Sequence, residues 1–155
     1  MSRVVGVDPG ITGAIALLVD GSLQAVSEMP CFDGEANGRL IALLLEQLEP
    51  DVVVIEHVQP MPKNGTIASF SLGKNYGIVI GVASSLQHPL VKIRPMDWKK
   101  TNGLLKQPKA ASRKLAAELW PHMAHRFARV KDDGLAEAAL IARAHNYRTL
   151  HQHAS

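Results

Sequence analysis

One cysteine, Cys31, stands in the whole chain. That excludes a disulfide within the chain and fits a reducing compartment. Long apolar runs are also missing. No stretch reaches the roughly 18 uncharged apolar residues of a membrane span. The longest candidate, residues 78–86, is short, is interrupted by Gly81, Ser84 and Ser85, and reads as a buried helix. A secretory leader is not expected, because Asp8 falls where its apolar centre would have to be unbroken. Between residues 92 and 131 acids are nearly absent. Only Asp97 and Glu118 oppose a series of lysines and arginines there, whereas the first ninety residues are acidic. A net charge of +3 is modest, but this asymmetry points to a polyanionic partner, the alternative being a solvated, lysine-rich helical face.

What is present is an ordinary globular composition over 155 residues, with 46% hydrophobic and 20% charged side chains. It predicts one domain over residues 1–155 with a full core. The chain opens on Val4-Val5-Gly6-Val7, a short buried-strand pattern that ends in Asp8 and breaks at Pro9-Gly10. A carboxylate at the tip of a core strand is costly to desolvate unless a cation offsets it; the plainer alternative is an acidic turn residue. A second strand is expected over 11–19, a hairpin turn at Asp20-Gly21, and a third strand over 23–29. Residues 30–37 are polar and rich in turn formers. Asn37 suits the N-cap of a helix whose apolar positions are Leu40, Ile41, Leu44, Leu45 and Leu48, closed by Pro50.

Val52-Val53-Val54-Ile55 then reads as a strand buried on both faces, and it closes on Glu56. If the preceding helix crosses over the sheet, the strands of Asp8 and Glu56 run parallel and bring both acids to one edge. Such a pair repels by roughly 4 kcal/mol at close range and intermediate dielectric. It either shares a proton or binds a cation; otherwise these are two unrelated acids facing solvent.

A loop over 57–66 precedes a helix over 67–86, in which Gly73, Gly77 and Gly81 fall along one face. Tight packing on the sheet is the expected reason, with close approach of another element or a ligand as the alternative. A fifth strand is predicted over 90–94 and a short helix over 96–102, capped by Gly103. Another helix starts at Gln107-Pro108, with Ala111, Leu115, Leu119 and Trp120 inward and Lys109, Arg113 and Lys114 solvated. Residues 122–130 are ambiguous between loop and irregular helix. Asp132 or Asp133 caps a last helix running through Leu135, Ala138, Ala139, Ile141 and Ala142 to about Tyr147. Asp133 and Glu137 share a face of it. Helix capping accounts for Asp133 but hardly for Glu137.

The strand-ending Asp in Val-Asp-Pro-Gly-Ile-Thr-Gly, the strand-ending Glu in Val-Val-Ile-Glu, and the late Lys131-Asp132-Asp133-Gly134-Leu135-Ala136-Glu137-Ala138 resemble the RuvC-type Holliday junction resolvases, most of all their phage-borne branch. The resemblance spans about residues 4–147. It implies the ribonuclease-H-like α/β fold: a five-stranded mixed sheet, an antiparallel meander followed by parallel strands, with helices on both faces. It also implies a Mg²⁺-dependent, homodimeric endonuclease of DNA recombination and repair, with two ions per site for which Mn²⁺ can substitute. Such an enzyme cuts two strands of like polarity symmetrically at a four-way DNA junction, in the cytoplasm of a bacterial or phage-infected cell. Asp8 matches the first metal ligand and Glu56 the second. The bacterial enzymes close the site with two acids three residues apart; here Glu137 takes the later place and the earlier falls on Gly134. Asp133, one position before, becomes the expected ligand, with Asp132 competing for the role. Lys99, Lys100, Lys106 and Lys109 fall where the family touches phosphates, and Arg113 and Lys114 extend that basic surface. Phe70 lies near an aromatic that probes the junction. The resemblance places the dimer interface on the helix face over 73–86, with Ile78, Val79 and Val82 as contacts.

Two-metal phosphodiester hydrolysis needs hard, anionic oxygen ligands and no histidine. His57 should alternate away from Glu56, His151 and His153 lie in a tail, and no zinc site is expected. Two rival readings remain. Asp-x-Gly-x-Thr also opens the phosphate loop of sugar-kinase and actin-like ATPases, which need two such domains. A catalytically silent branched-DNA-binding module would share the fold without needing three acids at one edge.

Overall fold

The computed structural model describes residues 1–152, without the side chains of residues 150–152. His153, and the side chain of His151, therefore lie outside the described residues. Five strands form one sheet: β1 (Arg3–Asp8), β2 (Ala14–Val19), β3 (Ser22–Glu28), and two later strands. Between β3 and the first helix, β4 (Cys31–Phe32) and β5 (Glu35–Ala36) form a separate two-stranded ribbon. Helix α1 (Gly38–Leu48) leads to β6 (Val52–Glu56), α2 (Thr66–Ser85) to β7 (Leu90–Ile93). The sheet order is β3-β2-β1-β6-β7, antiparallel from β1 to β3 and parallel from β1 through β6 to β7. The chain ends with α3 (Pro95–Thr101), α4 (Ala110–Leu119), two short 3-10 segments over 121–132, and α5 (Asp133–Gln152).

The local chemistry explains the boundaries. Asp20 and Gly21 both take positive φ, 49° and 81°, as a tight turn between β2 and β3 requires. Asn37 caps α1 as expected, its side-chain oxygen accepting the Leu40 backbone N–H at 3.1 Å. The expected second strand starts later, at Ala14. Residues 10–12 form a turn closed by the Gly13 N–H donating to the Gly10 carbonyl at 2.9 Å, so β2 pairs with β1 only from there. The stretch read as turns over 30–37 contains the β4–β5 ribbon, pinned to α2 by buried Asn75, whose Oδ1 accepts the Ala36 N–H at 2.8 Å.

Apolar side chains fill both sides of the sheet. Helices α1 and α2 cover one face over Val5, Val7, Ile15, Val53 and Ile55. The other face holds Val4, Ala16, Leu18 and Val54 beneath α3, α4 and the alanine-rich stretch of α5. Helix α5 runs so close to β1 that a Cβ on Gly6 would lie 2.1 Å from the Ala138 carbonyl oxygen. That contact draws the start of α5 to the end of β1.

Two expectations about α2 are corrected. Gly73, Gly77 and Gly81 do not pack on the sheet; they are exposed, and a Cβ on any of them would meet nothing within 4 Å. Val79 is no surface contact, being fully buried in the core. Ile78 and Val82 lie beside Gly38 of α1, at 3.6 and 3.4 Å from a Cβ placed there. The helix is apolar on most sides, and the face it buries is that of Asn75, Val79 and Ala83.

Candidate active site

Parallel register aligns Val7 with Ile55, so Asp8 and Glu56 emerge side by side where β1 and β6 end. In each strand a run of wholly buried apolar residues, 4–7 in β1 (with Gly6 among them) and 53–55 in β6, leads directly into the acid, which is half-buried. Helix α5 brings the remaining acids. A Cβ on Gly134 would stand 2.5 Å from the Thr12 carbonyl oxygen. Only glycine lets the first turn of α5 seat against the turn after β1, which explains why no carboxylate occupies that position. Asp133 and Glu137 flank it. With Asp8, Thr12 and Lys109 they line a cavity of about 170 Å³. Asp8 and Glu56 together line a larger cavity of about 630 Å³ that opens between α2, α3 and the 57–65 loop.

The electrostatics bind these acids into one group. Burial, then the charges of Glu137 and Glu56, raise the Asp8 carboxyl from 3.8 to about 7; the Gly10 N–H and Lys109 oppose this. Burial also raises Glu56, against a hydrogen bond from Trp98 and the charge of Lys99. Glu137 is raised by burial and by Glu56, with Lys109 and Lys99 opposing. Asp8 thus stands between Glu56 and Glu137 and feels the charge of both, sharing one cavity with Glu56 and Lys99 and another with Glu137 and Lys109.

The other two candidate acids are engaged differently. Asp133 accepts a 2.7 Å ion pair from Arg113, both side chains being largely buried. Arg113, expected to be solvated, instead turns inward because α5 presents this carboxylate to α4. Asp132 is fully buried in the 3-10 turn before α5, where it accepts the Arg129 backbone N–H at 2.9 Å and the Arg129 guanidinium at 2.9 and 3.1 Å. Those bonds hold its carboxyl below the usual range. It caps the turn over 130–132 rather than facing the other acids.

Of the expected basic contacts, Lys99, Lys106 and Lys109 line a cavity of about 250 Å³ beside Glu137. Lys106 is held there at φ 60°. Lys100 and Lys114 are exposed and line none of these cavities. Phe70 is 71% exposed on the first turns of α2, with Lys74 Nζ 5.9 Å from its ring. His57, expected to turn away from Glu56, lines the same cavity, because β6 ends at Glu56 and the strand alternation ends with it. Sequence reasoning missed Trp98. It is fully buried on α3, and its indole N–H donates to Glu56 Oε2 at 2.5 Å. A tryptophan in a short helix signals core packing, and nothing in the sequence shows where its N–H points.

The donor set suits hard divalent cations such as Mg²⁺ or Mn²⁺: carboxylate oxygens from separate elements, mutually repelling and partly desolvated, a burden that a cation relieves. Among the described residues no three His, Cys, Asp or Glu side chains are gathered into a ready-made metal cage.

A mixed sheet of order 3-2-1 followed by two parallel strands, with acids at the ends of the first and fourth core strands and on the last helix, defines a ribonuclease-H-like architecture. Comparison with solved structures agrees. RuvC of T. thermophilus in complex with a Holliday junction substrate superposes with a TM-score of 0.73 at 18% identity, over 97% of this chain and 96% of that one. A Thermus thermophilus RuvC structure gives 0.72 at 20% identity, over 97% and 96%. The yeast mitochondrial Holliday junction resolvase Ydc2 gives 0.53 at 17%, over 99% and 85%. The chain shares the fold of these resolvases. No family model and no curated protein matches the sequence.

Proposed function

We propose that this chain is a Mg²⁺-dependent endonuclease that resolves four-way DNA junctions by paired, symmetric nicks. The observation that carries the reading is the convergence of Asp8, Glu56 and Glu137 from two parallel strand ends and α5, mutually repelling and bordered by Lys99 and Lys109. No feature of the fold alone calls for three partly buried acids at one sheet edge. The structural likeness to RuvC supports the substrate class, and the likeness of the motif over residues 131–138 to the phage-borne branch supports a place near it. We take residues 1–155 as one nuclease domain, acting in the cytoplasm; among the described residues no helix is long and apolar enough to cross a membrane.

Asp8, Glu56 and Glu137 would hold the ions, drawing together from their open arrangement, and Asp133 would complete the set. When bound, the ions supply a water of lowered pKa and polarise the scissile phosphate. The protein's own part is to fix the carboxylates on rigid elements and to place cations around a phosphate. Lys99 and Lys109 stand close enough to feel the charge of the acids, and Lys106 shares their cavity, so a DNA backbone crossing the acids meets all three. Arg113 steadies Asp133 from behind rather than reaching for DNA. Lys100 and Lys114, both exposed, would add phosphate contacts, and exposed Phe70 would probe the junction.

Symmetric cutting requires two sites related by a two-fold axis, so the working form is a homodimer. Of the α2 face expected to form its interface, Gly73, Gly77 and Gly81 remain exposed. Sedimentation at micromolar concentration tests the dimer, and a monomer there would sink it. The substrate class is tested by gel shift in Ca²⁺, comparing a four-way junction with linear duplex of the same arm sequences. At least tenfold tighter binding to the junction is expected; equal affinity would contradict the reading.

A further inference from the structure

We infer that Trp98 is a positioning residue for the metal site, holding one oxygen of Glu56 so that the other is presented to the ions. The inference rests on the metal-dependent reading above. An indole has one polar proton and no acceptor, and here that proton goes to Glu56 Oε2 at 2.5 Å from a fully buried ring. No donor among the described residues is bonded to the other oxygen, Oε1. The carboxylate is therefore tethered through Oε2, and its residue lines the same cavity as Asp8.

The tether is itself braced. The Asn102 side chain donates to the Trp98 carbonyl at 2.8 Å and to the Leu140 carbonyl at 3.0 Å. Arg143 in turn donates to Asn102 Oδ1 at 2.7 Å. Leu140 and Arg143 belong to α5, within two turns of Glu137. The chain Glu56–Trp98–Asn102–α5 thus couples the acid on β6 to the helix that carries Glu137. Lys99, next along α3, places its Nζ 5.4 Å from the Trp98 ring, so the same helix sets a cation beside both acids. Outer hydrogen-bond partners of metal ligands characteristically fix ligand orientation, and losing one weakens metal binding by about 10- to 100-fold.

Trp98→Phe removes the N–H and keeps an aromatic ring. The control is Trp120→Phe: Trp120 is also buried, but its indole N–H donates to the Gly21 carbonyl, at the turn between β2 and β3. Mn²⁺ binding by calorimetry should weaken by about 10-fold or more in Trp98→Phe and stay unchanged in Trp120→Phe, although both lose thermal stability. Equal Mn²⁺ affinity in Trp98→Phe and wild type would overturn the inference, as would a similar weakening in both variants. Should Trp98→Phe fail to fold, the wild-type indole N–H resonances give the answer. Mg²⁺ should shift the Trp98 signal and not that of Trp120; no shift, or an equal shift in both, overturns the inference. A wild type that binds metal but leaves junctions uncut, with Trp98→Phe still binding weakly, would sink the junction reading and keep the role of Trp98.

Discussion

Replacing Asp8 with Asn should stabilise the metal-free protein, and the gain should depend on pH in a defined direction. The native carboxyl is raised from 3.8 to about 7, first by burial and then by Glu137 and Glu56. Below about pH 3.8 it is protonated in both folded and unfolded chains and carries no penalty. As pH rises toward 7 the unfolded chain ionises while the native one keeps its proton, so native stability falls. Above about 7 the full penalty applies, and a displacement of this size corresponds to about 4 kcal/mol. Asn escapes it and also spares Glu137 and Glu56 a repelling neighbour. Urea melts followed by circular dichroism, in chelator, should show Asp8→Asn and wild type nearly equal at pH 4. At pH 8 the variant should be ahead by several kcal/mol. Mg²⁺ should narrow the gap, since metal at a hundredfold over its Kd adds about 2.7 kcal/mol to the wild type alone. A pH-independent difference, or a variant less stable than wild type at pH 8 in chelator, would refute the crowded-acid picture.

Other consequences follow from the same geometry. Gly6→Ala sets a methyl 2.1 Å from the Ala138 carbonyl oxygen; it should cost about 3 kcal/mol or more and lower cleavage by displacing α5, as a chemical melt and a rate measurement would show. Glu137→Gln should reduce single-turnover cleavage by orders of magnitude with stability kept or raised. Asp132→Asn should do the opposite, weakening the cap and ion pair with Arg129 while leaving the rate within a few-fold; the reverse ranking would move the site to Asp132. Lys106→Ala with Lys109→Ala should weaken binding to branched DNA of any sequence and flatten the salt dependence by up to about two phosphate charges in a titration series.

The sheet was legible because its strands advertise themselves: Val4–Val7 and Val52–Ile55 are apolar runs that each stop at an acid, and the crossover rule for parallel strands puts both ends together. The Asn37 cap and the Asp20-Gly21 turn were legible for equally local reasons. What failed depended on partners distant in sequence. Arg113 looks solvated on a helical wheel, and only the arrival of α5 supplies Asp133. The exposed glycines of α2 could not be oriented, because a helix apolar on most sides does not declare which one is buried. The same ambiguity put Val79 on the surface. Gly134 read as a gap in the acid pattern; its close contact with the Thr12 carbonyl gives the physical reason for the gap. Trp98 was invisible as a site residue, since its contribution is one N–H aimed across 42 positions.

Strand-specific mapping of cuts in a synthetic four-way junction, with wild type and Asp8→Asn side by side, addresses the central claim most directly. With Mg²⁺ the wild type should nick two strands of like polarity at symmetry-related positions, release linear duplexes, and leave linear DNA of the same sequence intact. It should do nothing in chelator, and Asp8→Asn should bind the junction without cutting. A wild type that leaves the junction whole in both Mg²⁺ and Mn²⁺, or an Asp8→Asn protein that cuts at near wild-type rate, would contradict the account.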